Sequence, residues 1–429
     1  MRFLVLLLAI SALRAGAAEN GLGARPYMGW DSWSFFRGKP TVARIKAQAD
    51  AMAARLKPYG YTYVNIDSGW FGSYDEYGRP KADAARFPEG VAALAEYMHR
   101  RGLKLGIYLE PGLPKSVWDA NSPILGTPYH ARDIAFASQN GNTLGRADRI
   151  EYARPGAAEY VQSCADLVAS WGIDFIRMDH VGPGGGRLPA DNRPDVQCWA
   201  AALRKTGRPI WLELSTSLDV RYVDSWKKYA NSWRIENDIE WYGQGHPFTN
   251  WARVARRFDN VPKWAAHAGP GGWNNLDSLE IGNGAADGLT PDERRACMTL
   301  WSISCSPISI GADLTNLDKS DFPLLTNPEV LAVDQAGRPA QPLSQGSAQQ
   351  VWRSRDADGS FTVALFNLGY AGANVSVNWN ELPFRGPASV RDLWSRAELG
   401  VFNKGFGATL NPHASRLLKV TPLEKQRPR

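Results

Sequence analysis

Short apolar runs and amphipathic stretches alternate eight times in succession along this chain, and few folds accept that order. The predicted strands are 27–31, 61–67, 103–109, 173–179, 210–214, 231–234, 264–267 and 306–310. The predicted helices 41–56, 90–101, 156–171, 194–206, 220–229, 248–258, 290–302 and 327–334 follow them in turn. Thr41 suits a helix N-cap, and Pro155-Gly156 and Pro194 mark later helix starts. Gly102, Gly172 and Gly207 each separate a helix from the next strand, where a left-handed residue is wanted. Eight such units predict an α/β chain built on a (β/α)8 TIM barrel, with an open parallel sheet as the competing arrangement.

Past residue 337 the pattern changes to short alternating runs at 350–353, 360–367, 373–379, 388–393 and 415–420, broken by Gly, Asn and Asp. That texture predicts an antiparallel β-sandwich domain. The expected organisation is therefore a catalytic barrel over 25–337 and a β domain over 338–423, with a polar end after it. Residues 1–18 read as a signal peptide: Arg2, an apolar run over 3–12, and small residues at 15–18. This predicts an exported protein, periplasmic or secreted, with no membrane association after signal removal. A retained N-terminal anchor is the alternative.

The charge balance is +6, but no Lys/Arg-rich block gathers it into a nucleic-acid footprint. Cys297 and Cys305 lie eight residues apart on one predicted helix, about 12 Å and too far to bridge. Cys164 and Cys198 fall on successive predicted helices and have the opportunity to pair. No Cys or His spacing suggests a metal, and no cofactor is implied.

In a barrel of this kind the chemistry gathers at the C-terminal ends of the strands. Those ends carry Asp31 and Trp33, then Asp67 and Ser68, Tyr108 and Glu110, Arg177 and Asp179, Glu213 and Thr216, Arg234 and Asp238, and finally Asp277. Asp179 and Asp238, 59 residues apart, each close a strand-like run. Two carboxyl groups facing across a sugar ring are what glycoside hydrolysis requires. The 17 Trp point weakly the same way, because indole faces suit sugar rings, although packing accounts for most of them. Gly184-Gly185-Gly186 lacks the Lys-Ser/Thr of a phosphate loop and reads as a mouth loop. His180 reads equally as a substrate contact or a structural histidine. The long insert 111–154, with Trp118, Tyr129 and Asp133, reads as a wall beside the site or as packing.

Five ordered strings carry a resemblance. They are Met28-Gly29-Trp30-Asp31-Ser32-Trp33, the run 65–70 ending in Asp67-Ser68-Gly69-Trp70, the run 103–108, the run 232–239, and the run 268–277 ending at Asp277. Together they resemble glycoside hydrolase family 27, whose best-known members are α-galactosidases. The resemblance implies Asp179 as nucleophile and Asp238 as acid/base. It implies sugar contacts at Trp33, Asp67, Tyr108, Arg177, Arg234 and Asp277, with an oligosaccharide or polysaccharide substrate.

Where the family has a second acid, this chain has Ser68; where it has Lys, this chain has Arg177; where it has Glu, this chain has Thr216. Gly69 and Val181 replace the family's cysteines beside two motif acids, so those disulfides are not expected. Glu110 and Glu213 are the candidates to compensate for Ser68. The expected activity is that of a retaining α-galactosidase. A family-27 α-glucoside hydrolase or β-L-arabinopyranosidase stands as the alternative within the family, and a catalytically silent sugar-binding protein outside it. Oligomeric state is not legible in the sequence.

Overall fold

The computed structural model describes residues 20–243 and 248–423. The predicted signal peptide lies outside the described residues. Eight parallel strands run β1 (Met28–Asp31), β2 (Tyr63–Ile66), β3 (Lys104–Leu109), β4 (Phe175–Met178), β5 (Trp211–Leu214), β6 (Ser232–Arg234), β7 (Trp273–Asn275) and β8 (Ile308–Ile310). From β1 to β7 each strand pairs with the next, and β8 returns to pair with β1. The ring closes just past β7, where the Leu279 N–H donates to the Ser309 carbonyl at 2.7 Å and the Gly311 N–H donates to Leu279 at 3.0 Å. The barrel is therefore a closed one, as its alternating sequence predicts.

The connecting helices are α1 (Val42–Arg55), α2 (Gly90–Arg100), α3 (Ala157–Ser170), α4 (Arg193–Lys205), α5 (Val223–Tyr229), α6 (Trp251–Trp264), α7 (Pro291–Ile303) and α8 (Pro328–Gln335). Thr41 caps α1 by accepting from the Arg44 N–H. A capping box between Thr290 and Glu293 starts α7. The seventh strand differs from the sequence expectation. Residues 264–267 finish α6 and form a 3-10 turn, and the strand begins at Trp273. The α6 stripe Trp251, Val254, Phe258, Val261 and Trp264 is buried, so its last apolar residues belong to a helix face. Asp277 still follows the seventh strand.

Period-2 alternation along the strands decides what faces inward. Tyr27, Tyr63, Phe175, Trp211 and Trp273 fill the floor of the barrel. Tyr27 packs edge-on against Phe175 with ring centres 5.0 Å apart. Two residues on, the inward positions become polar: Arg177 on β4 and Glu213 on β5. Gly106 on β3 leaves the room this requires, since a Cβ there would sit 2.1 Å from Asn65 Oδ1 and 2.9 Å from Phe175 Cδ1.

The C-terminal domain has a six-stranded antiparallel sheet made of β9 (Gln341–Ser344), β10 (Gln349–Arg355), β11 (Phe361–Asn367), β13 (Ala388–Asp392), β14 (Ala397–Phe402) and β16 (Ser415–Pro422). A two-stranded sheet of β12 (Ala373–Asn378) and β15 (Gly405–Leu410) faces it across Val363, Leu365, Val375, Val377 and Leu418. Strands β9, β14 and β15 have no counterpart in the sequence expectation. β14 is largely exposed and interrupted by Gly400, so its pattern is weak. The domain docks on α6 and α7. Phe258 meets Phe366 at 4.8 Å, and Trp394 donates to Thr299 at 2.9 Å. All four cysteines are free thiols, so Cys164 and Cys198 do not pair. No helix among the described residues is long and apolar enough to cross a membrane.

Candidate active site

The strand ends converge on a network of buried arginines and carboxylates. Arg177, from β4, reaches across the barrel. Its Nη1 lies 3.3 Å from Asp31 and 3.6 Å from Asp67, and its Nη2 lies 3.3 Å from Asp277. These partners stand at the ends of β1, β2 and β7, so only the barrel interior brings them together. Arg234, from β6, lies 3.4 Å from Asp277 and 2.8 Å from Asp238. Arg257 of α6 completes the set at 3.7 Å from Asp277. The Asp277 side chain is fully enclosed by these three guanidinium groups and the Ile239 N–H, which donates at 2.9 Å.

Asp179 follows β4 directly. His180 after it has φ 57°, a left-handed turn that a non-glycine residue rarely takes, and it diverts the chain at the barrel mouth. Thr216 (φ 102°) and Asp277 (φ 82°) turn the chain in the same way after β5 and β7. The Asp179 carboxylate has His180 Nε2 and Thr216 Oγ1 at 3.5 Å each. Burial alone would raise its pKa; His180, Arg234 and Arg177 more than offset that and bring it down to about 2. Asp179 is thus held ionised.

Asp238 is the more accessible of the pair, with its side chain 39% exposed. One oxygen takes the Arg234 ion pair and the other accepts the Tyr242 hydroxyl at 2.6 Å. Burial pushes its pKa up, Arg234 and Tyr242 bring it below the ordinary value, and the neighbouring Asp179 charge pushes back upward. Tyr242 in turn accepts from Trp33 Nε1 at 3.0 Å, so the indole and the carboxylate are tied through one hydroxyl. Asp31 and Asp67 are shifted the other way, raised by burial.

The remaining sequence candidates separate. Tyr108 donates to Glu110 at 2.7 Å, and Asn142 of the long insert donates to the other Glu110 oxygen at 2.9 Å. Arg146 of the same insert approaches Glu110 at 3.4 Å. Glu110, Ser68 and Tyr108 line a cavity of about 250 Å³ that runs back to Cys164 and Trp199. Glu213 is 1% exposed and accepts from Ser232 at 2.7 Å and Asn275 at 2.6 Å, inside the barrel. Of the two proposed compensators for Ser68, Glu110 therefore stands at the mouth and Glu213 does not. The insert packs against the strand ends through Asn142 and Arg146, which contact Glu110. It forms a three-stranded antiparallel sheet with two short helices. Tyr242, Asn142, Arg146, Arg257, Glu240 and Glu280 were not among the sequence candidates. Only Glu240 carried a local signal, two residues after Asp238.

Sequence and structure comparisons agree on the kinship of this arrangement. The α-galactosidase A family matches residues 25–118 and 143–336, and the α-galactosidase C-terminal β-sandwich domain matches 346–420. The unmatched stretch between the first two segments falls within the insert. Alpha-galactosidase 2 of Arabidopsis thaliana is 31% identical over 94% of this chain and 91% of its own length. Among solved structures, a β-L-arabinopyranosidase of glycoside hydrolase family 27 from Geobacillus stearothermophilus superposes with TM-score 0.86 at 32% identity, covering 94% of this chain and 98% of that one. α-Galactosidase I from Mortierella vinacea gives TM-score 0.75 at 27% identity, covering 94% and 98%.

Proposed function

Because the chain belongs to glycoside hydrolase family 27 and is a retaining glycosidase, we propose that it releases terminal α-galactosyl residues, with Asp179 as nucleophile and Asp238 as acid/base. The observation that carries this reading is the contrast between the two carboxylates. Asp179 is the less exposed of the two, at 17%, and is held ionised, whereas Asp238 is 39% exposed and its proton affinity is set by Arg234, the Tyr242 hydroxyl and the Asp179 charge.

In the first step an Asp179 oxygen bonds to the anomeric carbon as the glycosidic bond breaks. The leaving oxygen takes the Asp238 proton. In the second step Asp238 removes a proton from water, the water oxygen bonds to the anomeric carbon, and Asp179 departs with its bonding electron pair. The Asp179 charge raises the proton affinity of Asp238 before attack and vanishes in the ester. Asp238 is therefore more readily protonated for step one and more fully ionised, and so available to take the water proton, after it. Trp33, tied to Asp238 through Tyr242, offers its indole to a sugar ring. An oligosaccharide or polysaccharide reached after export is the substrate class, the export resting on the signal-like sequence of residues 1–18.

A second reading within the family has an observation behind it. Ser68 presents a neutral hydroxyl where the resemblance implies an acid that reads outer hydroxyls. A charged acceptor contributes roughly 1.5–3 kcal/mol and a neutral one about 1. Glu110 already accepts from Tyr108 and Asn142, one bond on each oxygen, so its carboxylate is fixed in place and has only its remaining lone pairs to offer a sugar hydroxyl. A β-L-arabinopyranoside, which lacks the outer hydroxymethyl group, loses least from this exchange. The likeness to the Geobacillus enzyme leans the same way.

A panel of nitrophenyl α-galactoside, α-glucoside and β-L-arabinopyranoside separates these readings by kcat/KM, and absence of turnover on all three supports a silent binding protein. Asp179→Asn should abolish turnover on every substrate. Asp238→Asn should spare the first step for activated leaving groups and not for alkyl aglycones; equal losses on both would contradict the assignment.

A further inference from the structure

Behind Asp238 lies a second acidic pair that the reaction above does not use. Ser34, on the short helix Trp33–Phe36 after β1, has its Oγ 2.9 Å from Glu240 Oε1 and 2.6 Å from Glu280 Oε1. A hydroxyl has one hydrogen to donate. It serves one carboxyl group, so the other contact is a hydrogen bond only if that carboxyl carries a proton and donates to Oγ. Both glutamates are buried, at 1% and 0% exposure, and Glu280 Oε2 has no hydrogen-bond partner among the described residues. Gly311 closes the cradle, since a Cβ there would meet Glu280 Oε1 at 2.5 Å and Ser34 Oγ at 2.7 Å.

The groups around the pair leave it short of positive charge. Glu240 faces Asp238 and Asp277 at close range, and oxygens of these three acids all lie within 4.8 Å of one another. Arg177 is the cation that acts on it, without a direct ion pair, and Tyr242 is close enough to feel its charge. Glu280 faces Glu240, Asp287 and Cys297, with Arg37 as its remote cation. Arg234 and Arg257 are already engaged by Asp238 and Asp277. Two uncompensated carboxylates in so dry a site would each carry a large desolvation cost, and a shared proton removes one of them.

We propose that Glu240 and Glu280 share one proton through Ser34, and that this pair, carrying one negative charge rather than two, is a positioning device that keeps that charge on Glu280 and off Glu240 beside Asp238. The proposal rests on Asp238 being the acid/base. While the proton is held, Asp238 answers to Arg234 and Tyr242. Once Glu240 is charged, Asp238 binds its own proton more tightly and gives it up less readily.

The test is the pH profile of kcat/KM on the methyl glycoside of whichever sugar the panel favours, using the full chain. In Glu280→Gln the partner acid is gone, Ser34 donates to Glu240 alone, and Glu240 ionises at lower pH. Its charge beside Asp238 should then move the alkaline limb upward by about 1 unit. Glu280→Leu should act in the same direction if the glutamine variant does not fold. Glu240→Gln carries no charge at any pH, so its limb should stay at the wild-type position or below. Infrared spectra at pH 7 should show a protonated-carboxyl band in the wild type that weakens in Glu240→Gln. Limbs that stay together in all variants, or that move in one direction for both positions, overturn the shared proton. Asp238→Asn on the same substrate keeps the two ideas apart. If it retains the alkaline limb, the acid/base assignment fails; if it loses the limb while the glutamate variants leave it unmoved, only the pair fails.

Discussion

Asp277→Asn removes one negative charge from the middle of three guanidinium groups and changes almost no volume. The carboxylate it replaces is fully enclosed and lies 3.3, 3.4 and 3.7 Å from Arg177, Arg234 and Arg257. Deleting one partner of a buried ion pair costs about 3–5 kcal/mol, mostly because the cation left behind stays desolvated. Here three cations share the loss. Arg177 keeps Asp31 and Asp67, and Arg234 keeps Asp238, which holds the cost near that range rather than a multiple of it. For a chain of 429 residues the unfolding entropy is on the order of 0.9 kcal/mol per degree, so the apparent Tm should fall by about 3–6 °C. The Ile239 N–H also loses a charged acceptor, and that bond helps set the backbone one residue past Asp238. Activity should therefore drop through kcat more than through KM. Differential scanning calorimetry at neutral pH reads the first effect and steady-state kinetics the second. A Tm within about 1 °C of wild type would mean that the arginines are compensated elsewhere and that Asp277 is not the centre of the network.

Three further expectations follow from individual contacts. Burial raises the pKa of Asp195 to about 6 and of Asp287 to about 7, so each contributes stability that is complete below the unfolded value near 4 and is lost as pH rises through the folded one. The melting temperature should fall between about pH 4 and 7, and Asp287→Asn should flatten that fall in a thermal-shift series; a rise over the window would refute it. Gly106→Ala forces a methyl group against Asn65 and Phe175 in the barrel interior and should cost about 1–3 kcal/mol in urea unfolding. Tyr242→Phe removes the hydroxyl that favours the ionised form of Asp238, so the alkaline limb of kcat/KM should move upward by less than about 1 unit. A downward shift would show that the tyrosine acts in some other way.

Much of the site was legible because strand ends are local features. A run of alternating or apolar residues finishing in an acid needs no knowledge of the rest of the chain, and Asp179, Asp238 and Asp67 were read that way, whereas Asp277 lay well beyond the expected seventh strand and was carried by the resemblance of the 268–277 string. The seventh strand was misplaced because the apolar end of a buried helix and a short buried strand have the same composition, and nothing within a few residues of Trp264 distinguishes them. Glu110 and Glu213 were equivalent in sequence, each a carboxylate at a strand end. The barrel sends one to the mouth with Tyr108 and Asn142 and the other inside with Ser232 and Asn275.

The alternation of eight strands and helices, set by side-chain period and glycine placement, pointed to a parallel barrel with its acids at one end and left an open parallel sheet as the alternative. What those acids do to one another was decided by closure. Ser34 meets Glu240 across 206 residues and Glu280 across 246, and Arg177 meets Asp31 across 146. Electrostatic effects fall off with distance in space and depend on how much water is excluded, and neither quantity exists along a linear chain. The charge state of each carboxylate belongs to the folded barrel alone.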